Sequence, residues 1–211
     1  MFHRNSLNNL KTPLKMKKSS ILLSFTLLFF ISCDNDNDPT NNICDENYVT
    51  SALTTAFSTA NGYNDLAEWM DLETHEYEIQ INADGEICSV GYQNPSTYTG
   101  GYTIEIINNT NNSATNYSGT HTFSQTALDY QTITPVIVTS GDYITVKRTI
   151  LPGYTNLNQT VGRVLRKADF TNPPYPITQS NVVFSGSVFY GAGGPVPNIA
   201  QPYIALGFKV N

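Results

Sequence analysis

The sequence predicts an all-β fold, a β-sandwich or jelly roll with one short N-terminal helix. Three observations predict it. Beyond Leu72, apolar and polar residues alternate with a period of two in run after run. The runs are short and separated by Gly, Pro and Asn, the punctuation of sandwiches and jelly rolls. Charged residues make up only 13% of the 211, against roughly 25% in an average soluble protein. Thr, Asn, Ser, Tyr and Gly fill the gap and favour strands and turns over helices.

The chain opens on a segment that does not belong to this fold. Lys11, Lys15, Lys17 and Lys18 precede a run of Leu, Phe and Ile from Ile21 to Ile31, interrupted only by Ser24 and Thr26. A basic flank before a short apolar run is the pattern of a secretory signal. The run is too short to span a bilayer, which needs about 20 apolar residues. Residues 1–32 are therefore expected to be a signal peptide, with Met16 as an alternative start. Phe30-Ile31-Ser32-Cys33 resembles a lipobox, with Phe30 where Leu is usual. The resemblance implies a lipid on Cys33 and attachment to the outer membrane or cell surface. The alternative is ordinary signal-peptidase cleavage near Ser32. A lipid anchor of two or three chains holds durably, since each buried methylene adds about 0.8 kcal/mol.

Asp34-Asn35-Asp36-Asn37-Asp38 follows, and acids directly after such a cysteine resemble the surface-export signal of Bacteroidota lipoproteins. The alternation also suggests a calcium loop, but the Gly at the sixth place is absent and Asp45 stands where Glu is needed at the twelfth. Residues 33–45 read more simply as a polar, acidic tether, and 46–211 as the folded domain. The whole chain carries −6. The signal holds five cations and no acids, which leaves the mature chain near −11. Such a charge disfavours nucleic acid as a partner. With Cys33 lipidated, Cys44 and Cys88 remain, either bridged or as two separate buried thiols; exported proteins favour the bridge.

Within the domain, Val49, Leu53, Ala56, Phe57 and Ala60 recur at helical spacing, so a helix is expected over 46–60, capped by Asp45 and ended by Asn61-Gly62. Leu66, Trp69 and Met70 then fold back onto the domain. A strand follows over 74–81, with His75, Tyr77, Ile79 and Ile81 on one face and Thr74, Glu76, Glu78 and Gln80 on the other. Ala83-Asp84-Gly85 turns the chain into 86–92. Further strands are expected at 102–107, 117–124, 128–138 (with Pro135 at a bulge or edge), 143–150, 161–165, 182–190 and 203–210. Gly191-Ala192-Gly193-Gly194-Pro195 lacks the Lys-Ser/Thr of a phosphate loop and is expected to be a flexible connection.

Tyr117-Ser118-Gly119-Thr120-His121-Thr122, then Tyr130-Gln131-Thr132-Ile133-Thr134-Pro135-Val136, then Val138-Thr139-Ser140-Gly141-Asp142-Tyr143 follow one another. These runs resemble bacterial jelly-roll domains of unknown function that are appended to secreted carbohydrate-active proteins. The likeness covers about a third of the mature chain and implies the fold rather than an activity.

No catalytic set emerges. His75 and His121 fall on apolar faces and read as core or rim residues. His75-Glu76-Tyr77-Glu78 lacks the second His of a zinc-protease motif, and no Gly-x-Ser-x-Gly elbow is present. No cofactor or metal is expected. Glu76 and Glu78 share a strand face about 7 Å apart, compatible with acid/base work on glycosides. They are similar to the paired acids of jelly-roll laminarinases, without the third acid and flanking pattern. Solvated surface acids are the simpler account. Aromatics remain: Trp69, Tyr98, Tyr102 and Tyr154 lie in or near expected loops, where rings can stack on sugars while amides bond hydroxyls. Their alternative role is in the β-sheet core. The expectation is a surface-anchored, non-enzymatic module for extracellular glycan. The rival is a structural or adhesive envelope lipoprotein that contacts another protein.

Overall fold

The computed structural model describes residues 43–66, 72–96, 98–111, 113, 115–151 and 162–211. The expected signal and most of the expected tether, with Cys33, lie outside the described residues, as do Trp69 and Tyr154. The regular structure of the described chain is almost wholly antiparallel strand, as the alternation predicts.

One helix, α1, spans Asn47–Ala56. It buries Val49, Leu53 and Ala56 of the expected stripe, with Ala52 beside them, whereas Ala60 is exposed. Asp45 accepts the Asn47 N–H at 2.8 Å, satisfying one of the amides a helix start leaves open. The helix stops four residues before Ala60, and a 3-10 turn over Thr59–Asn61 follows. Asn61 reaches back to the carbonyls of Thr55 and Ala56 (2.9 and 3.2 Å), and Gly62 leaves in the left-handed region at φ 79°.

The strands in chain order are β1 (Tyr63–Leu66), β2 (Thr74–Ile81), β3 (Gly85–Tyr92), β4 (Tyr102–Asn108), β5 (Tyr117–His121), β6 (Asp129–Val138) and β7 (Tyr143–Ile150). Then come β8 (Val164–Lys167), β9 (Ile177–Gln179), β10 (Val182–Gly191), β11 (Gly194–Pro197), β12 (Gln201–Pro202) and β13 (Ala205–Val210). The large sheet has seven strands, in the order β11-β10-β2-β7-β4-β5 with β9 also on β10. A second sheet is β13-β3-β6, and a third, small one is β1-β8-β12.

The inner face of the large sheet carries Tyr77, Ile79 and Ile81 from β2, Ile144 and Val146 from β7, Ile104 and Ile106 from β4, and Phe184 from β10. They pack in one core with Ile87, Val90, Val136, Val138, Leu206 and Phe208 of the second sheet. Phe57, at the helix end, meets Tyr63 and Phe184 edge-on at 5.1 Å each. The buried Tyr77 hydroxyl donates to the Ile204 carbonyl at 2.7 Å, which satisfies a group that would be costly to bury alone.

Cys44 and Cys88 form a disulfide. It sits where Gly207 leaves room: a Cβ there would meet the Cys44 sulfur at 2.8 Å and the Ser89 hydroxyl closer still. Beside it, Asp45 and Phe208 exchange both backbone hydrogen bonds, each 3.0 Å. Pro135 lies on β6, an edge strand, within a bulge where the register with β3 shifts. The expected flexible connection after Tyr190 is instead a tight hairpin: Gly191 pairs Gly194, which adopts φ 91°. Glycine meets that turn without steric cost.

Candidate functional site

The structure overturns two of the expected binding residues. Tyr102 is an inner-face residue of β4 and wholly buried. Its ring lies 4.7 Å from the Arg148 guanidinium and 5.1 Å from Tyr92. Tyr98 is also buried, its hydroxyl against the carbonyls of Leu151 (2.8 Å) and Gly101 (3.1 Å). Both are core residues and present no face to a ligand. Desolvation pushes both phenols above their ordinary pKa.

The two histidines are core residues as well. His75 packs edge-on to Phe189 at 4.8 Å and pairs in register with the buried Arg148. Burial first, and the Arg148 charge second, hold its pKa well below the ordinary value, against a smaller upward pull from the Leu72 backbone. His121 joins two sheet edges: Nε2 meets the Tyr117 hydroxyl and Nδ1 the Gln131 Oε1, both at 2.7 Å. Among the described residues no cluster of His, Cys, Asp and Glu could hold a metal ion.

The outer face of the large sheet is different in kind. Register alone sets its rows. One row runs Tyr190, Thr74, Thr149, Thr103, Thr120, and the next runs Val188, Glu76, Lys147, Glu105, Ser118. Lys147 bridges to Glu105 at 2.6 Å. Glu76, on its other side, has its carboxyl raised above the ordinary value chiefly by desolvation; Lys147 and hydrogen bonding from Tyr190 pull the other way. Tyr190 and Tyr143 are the exposed rings of this face, at 37% and 43%. Strand spacing puts them about 20 Å apart, the reach of several sugar units.

A bulge in β10 opens a cleft in this face. Between Phe184 and Gly186 the register with β2 shifts by one, and bulges commonly re-aim side chains beside functional sites. The cleft, about 280 Å³, is lined by Glu76, Glu78, Thr145, Gly186, Val188, Pro197 and Asn198 among others. Gly186 lies close against Asn198: a Cβ there would come to 3.3 Å from Asn198 Oδ1. Asn198 is fixed at φ 58°: its Oδ1 accepts the Ser187 N–H (2.9 Å) and its own N–H donates to Ser187 O (2.8 Å).

Two other cavities are poorer candidates. One of about 590 Å³ is lined by Ile43, Asp45, Tyr48, Phe208 and Asn211 among others. Another of about 240 Å³ lies between Phe57, Tyr63 and Tyr203.

The bulge cleft therefore gathers carboxylates, an amide, hydroxyls and a small apolar wall. The sequence marks Glu76 and Glu78 as paired acids but reads them as solvated surface acids, and it singles out neither Asn198 in the cleft nor Tyr190 and Tyr143 elsewhere on this face. For Tyr143 a signal existed: alternation with Ile144 and Val146 puts it on the outer face. The chain matches no family model, no curated protein and no solved structure.

Proposed function

We propose that the domain is a lipid-anchored, non-catalytic module that binds neutral glycan on the outer face of its large sheet. The observation that carries the reading is the bulge cleft. Glu76, Glu78 and Thr145 stand on one side, Asn198, Pro197 and Val188 on the other, with Tyr190 adjoining Glu76. Carboxylates and amides bond sugar hydroxyls, while Pro, Val and Tyr offer the apolar contact a pyranose face needs. The acidic charge of the mature chain favours neutral over anionic sugars. This site replaces Tyr98 and Tyr102 as the binding surface.

The test is native affinity electrophoresis of the full-length protein, in mild detergent, through soluble mixed-linkage β-glucan, galactomannan and arabinoxylan. At least one should retard it without release of reducing sugar. Gly186→Leu fills the cleft and should weaken retardation about tenfold, the equivalent of about 1.4 kcal/mol. Absence of retardation by all three, or indifference to Gly186→Leu, would remove the reading.

The anchor is tested separately. Cys33→Ala should move the protein from the membrane to the soluble fraction or leave an uncleaved precursor. A variant that matures normally and stays in the membrane would place the anchor elsewhere.

A further inference from the structure

On the Tyr190 side of the bulge cleft, the outer-face side chains bond one another. Lys147 bridges Glu105, and Tyr190 is hydrogen-bonded to Glu76. On the other side they do not. Glu78 pairs in register with Thr145, and two residues further along both strands Gln80 pairs with Tyr143. Among the described residues no hydrogen bond uses the Glu78 carboxylate, the Gln80 Oε1 or the Tyr143 hydroxyl. Glu78 and Thr145 line the cleft, so this open set continues it along β2 and β7.

The set is held in place while its binding atoms stay open. The Tyr143 N–H donates to Thr110 Oγ1 at 2.9 Å, and Tyr143 O accepts the Asn109 N–H at 2.8 Å. Asn109 also donates from Nδ2 to Thr145 Oγ1 at 2.8 Å. The Gln80 amide is fixed by donation from Nε2 to Gly141 O at 3.0 Å, which leaves its oxygen facing no partner. The Tyr143 ring is 43% exposed, and no aromatic ring or cation lies against it among the described residues. A tyrosine with a braced backbone offers a large contact at small entropic cost.

These groups name the ligand they suit. A ring with a carboxylate and an amide oxygen beside it matches a pyranose, apolar on one face and rich in hydroxyl donors at its edge. An unpaired carboxylate repels an acidic sugar, so the match is to a neutral one. Strand pitch puts Tyr143 about 10 Å from the middle of the cleft, room for one further sugar between. We propose that Tyr143, Gln80 and Glu78 form a second subsite, and that a linear neutral glycan of at least three units lies along β2 and β7 with one sugar in the cleft and another stacked on Tyr143. The proposal rests on the glycan-binding reading above and adds to it a ligand length and a direction.

Tyr143→Thr removes the ring and keeps a residue that favours strands. With the full-length protein and the same three polysaccharides, it should weaken retardation about fivefold, the scale of one aromatic contact. Tyr143→Phe keeps the ring and should stay within about twofold of the wild type. Linear di- and tetrasaccharides cut from the retarding polysaccharide then serve as competitors. The tetrasaccharide should displace the wild type better than the disaccharide by about fivefold, and the two should compete alike on Tyr143→Thr. A partly unfolded variant would weaken both competitors equally and keep their ratio, so a kept ratio overturns the subsite. Unchanged retardation of Tyr143→Thr, with Gly186→Leu still weakened, also overturns it and leaves the glycan reading standing. Tyr143→Phe as weak as Tyr143→Thr overturns the stacking. No retardation of the wild type overturns both readings. Self-association that Tyr143→Thr abolishes would make the ring a protein contact and overturn the subsite.

Discussion

Alanine at both Cys44 and Cys88 lowers the unfolding free energy by about 4 kcal/mol, the chain-entropy value for a loop of this length. The two residues are 44 apart in sequence, so without the bond the unfolded chain regains a large freedom. In the folded state the bond holds the segment before α1 against β3, next to the Asp45 pairing with Phe208 of β13. The loss corresponds to a fall in Tm of roughly 10 °C for a domain of this size. Urea denaturation of the wild type, the double variant and the wild type under reductant measures it. Reduced wild type and double variant should share one midpoint, well below that of the oxidised protein. Coincidence of all three midpoints would show that the bond contributes nothing to stability.

Acidification destabilises the fold through His75, the second large effect expected. Burial and the neighbouring Arg148 lower its folded pKa well below the ordinary value, whereas the unfolded chain titrates near about 6.5. Below that pH the unfolded state binds a proton that the folded state refuses. The stability contributed by neutral His75 is complete above the unfolded pKa. It is lost as pH falls towards the folded one, by at most about 1.4 kcal/mol per pH unit. His75→Phe keeps a ring against Phe189 and removes the titration. Between pH 7.5 and 5.5 the wild type should lose about 1 kcal/mol more than this variant. Carboxylates titrate in both proteins, so the difference isolates His75. Equal losses would mean that the histidine is not held neutral.

The parts of the fold written in a period were legible in the sequence. In β2 the inner set of His75, Tyr77, Ile79 and Ile81 and the outer set of Thr74, Glu76, Glu78 and Gln80 fall as alternation predicts, because one face meets the core and the other meets water. The disulfide was legible by a different route, cysteine parity in a chain expected to be exported. Strands β1, β9, β11 and β12 have two to four residues each, too few to display a period, and their pairing is fixed by distant partners. Tyr102 was misleading for a local reason. It opens the strand expected at 102–107 and reads as a loop-side ring, yet it shares the inward face of Ile104 and Ile106. The site was half legible. Glu76 and Glu78 lie on a regular strand, but the cleft they line exists because β10 slips register at Gly186. A slip between two strands far apart in the chain leaves no mark in either one.

The clamp at the start of the domain sets the path that mechanical tension takes. A pull on the chain at Ile43 reaches Cys44 first, and there passes through a covalent bond to Cys88 in β3. One residue later it meets the paired backbone hydrogen bonds between Asp45 and Phe208 in β13. Helix α1 lies behind both fastenings and is shielded from the load. Strand β3 is the middle strand of its sheet, flanked by β13 and β6, so drawing it out means breaking both ladders together. Tension applied at Ile43 is thus delivered to the best-fastened strand of the second sheet. The seven-stranded sheet, with its bulge and its outer face, stands outside that line of force.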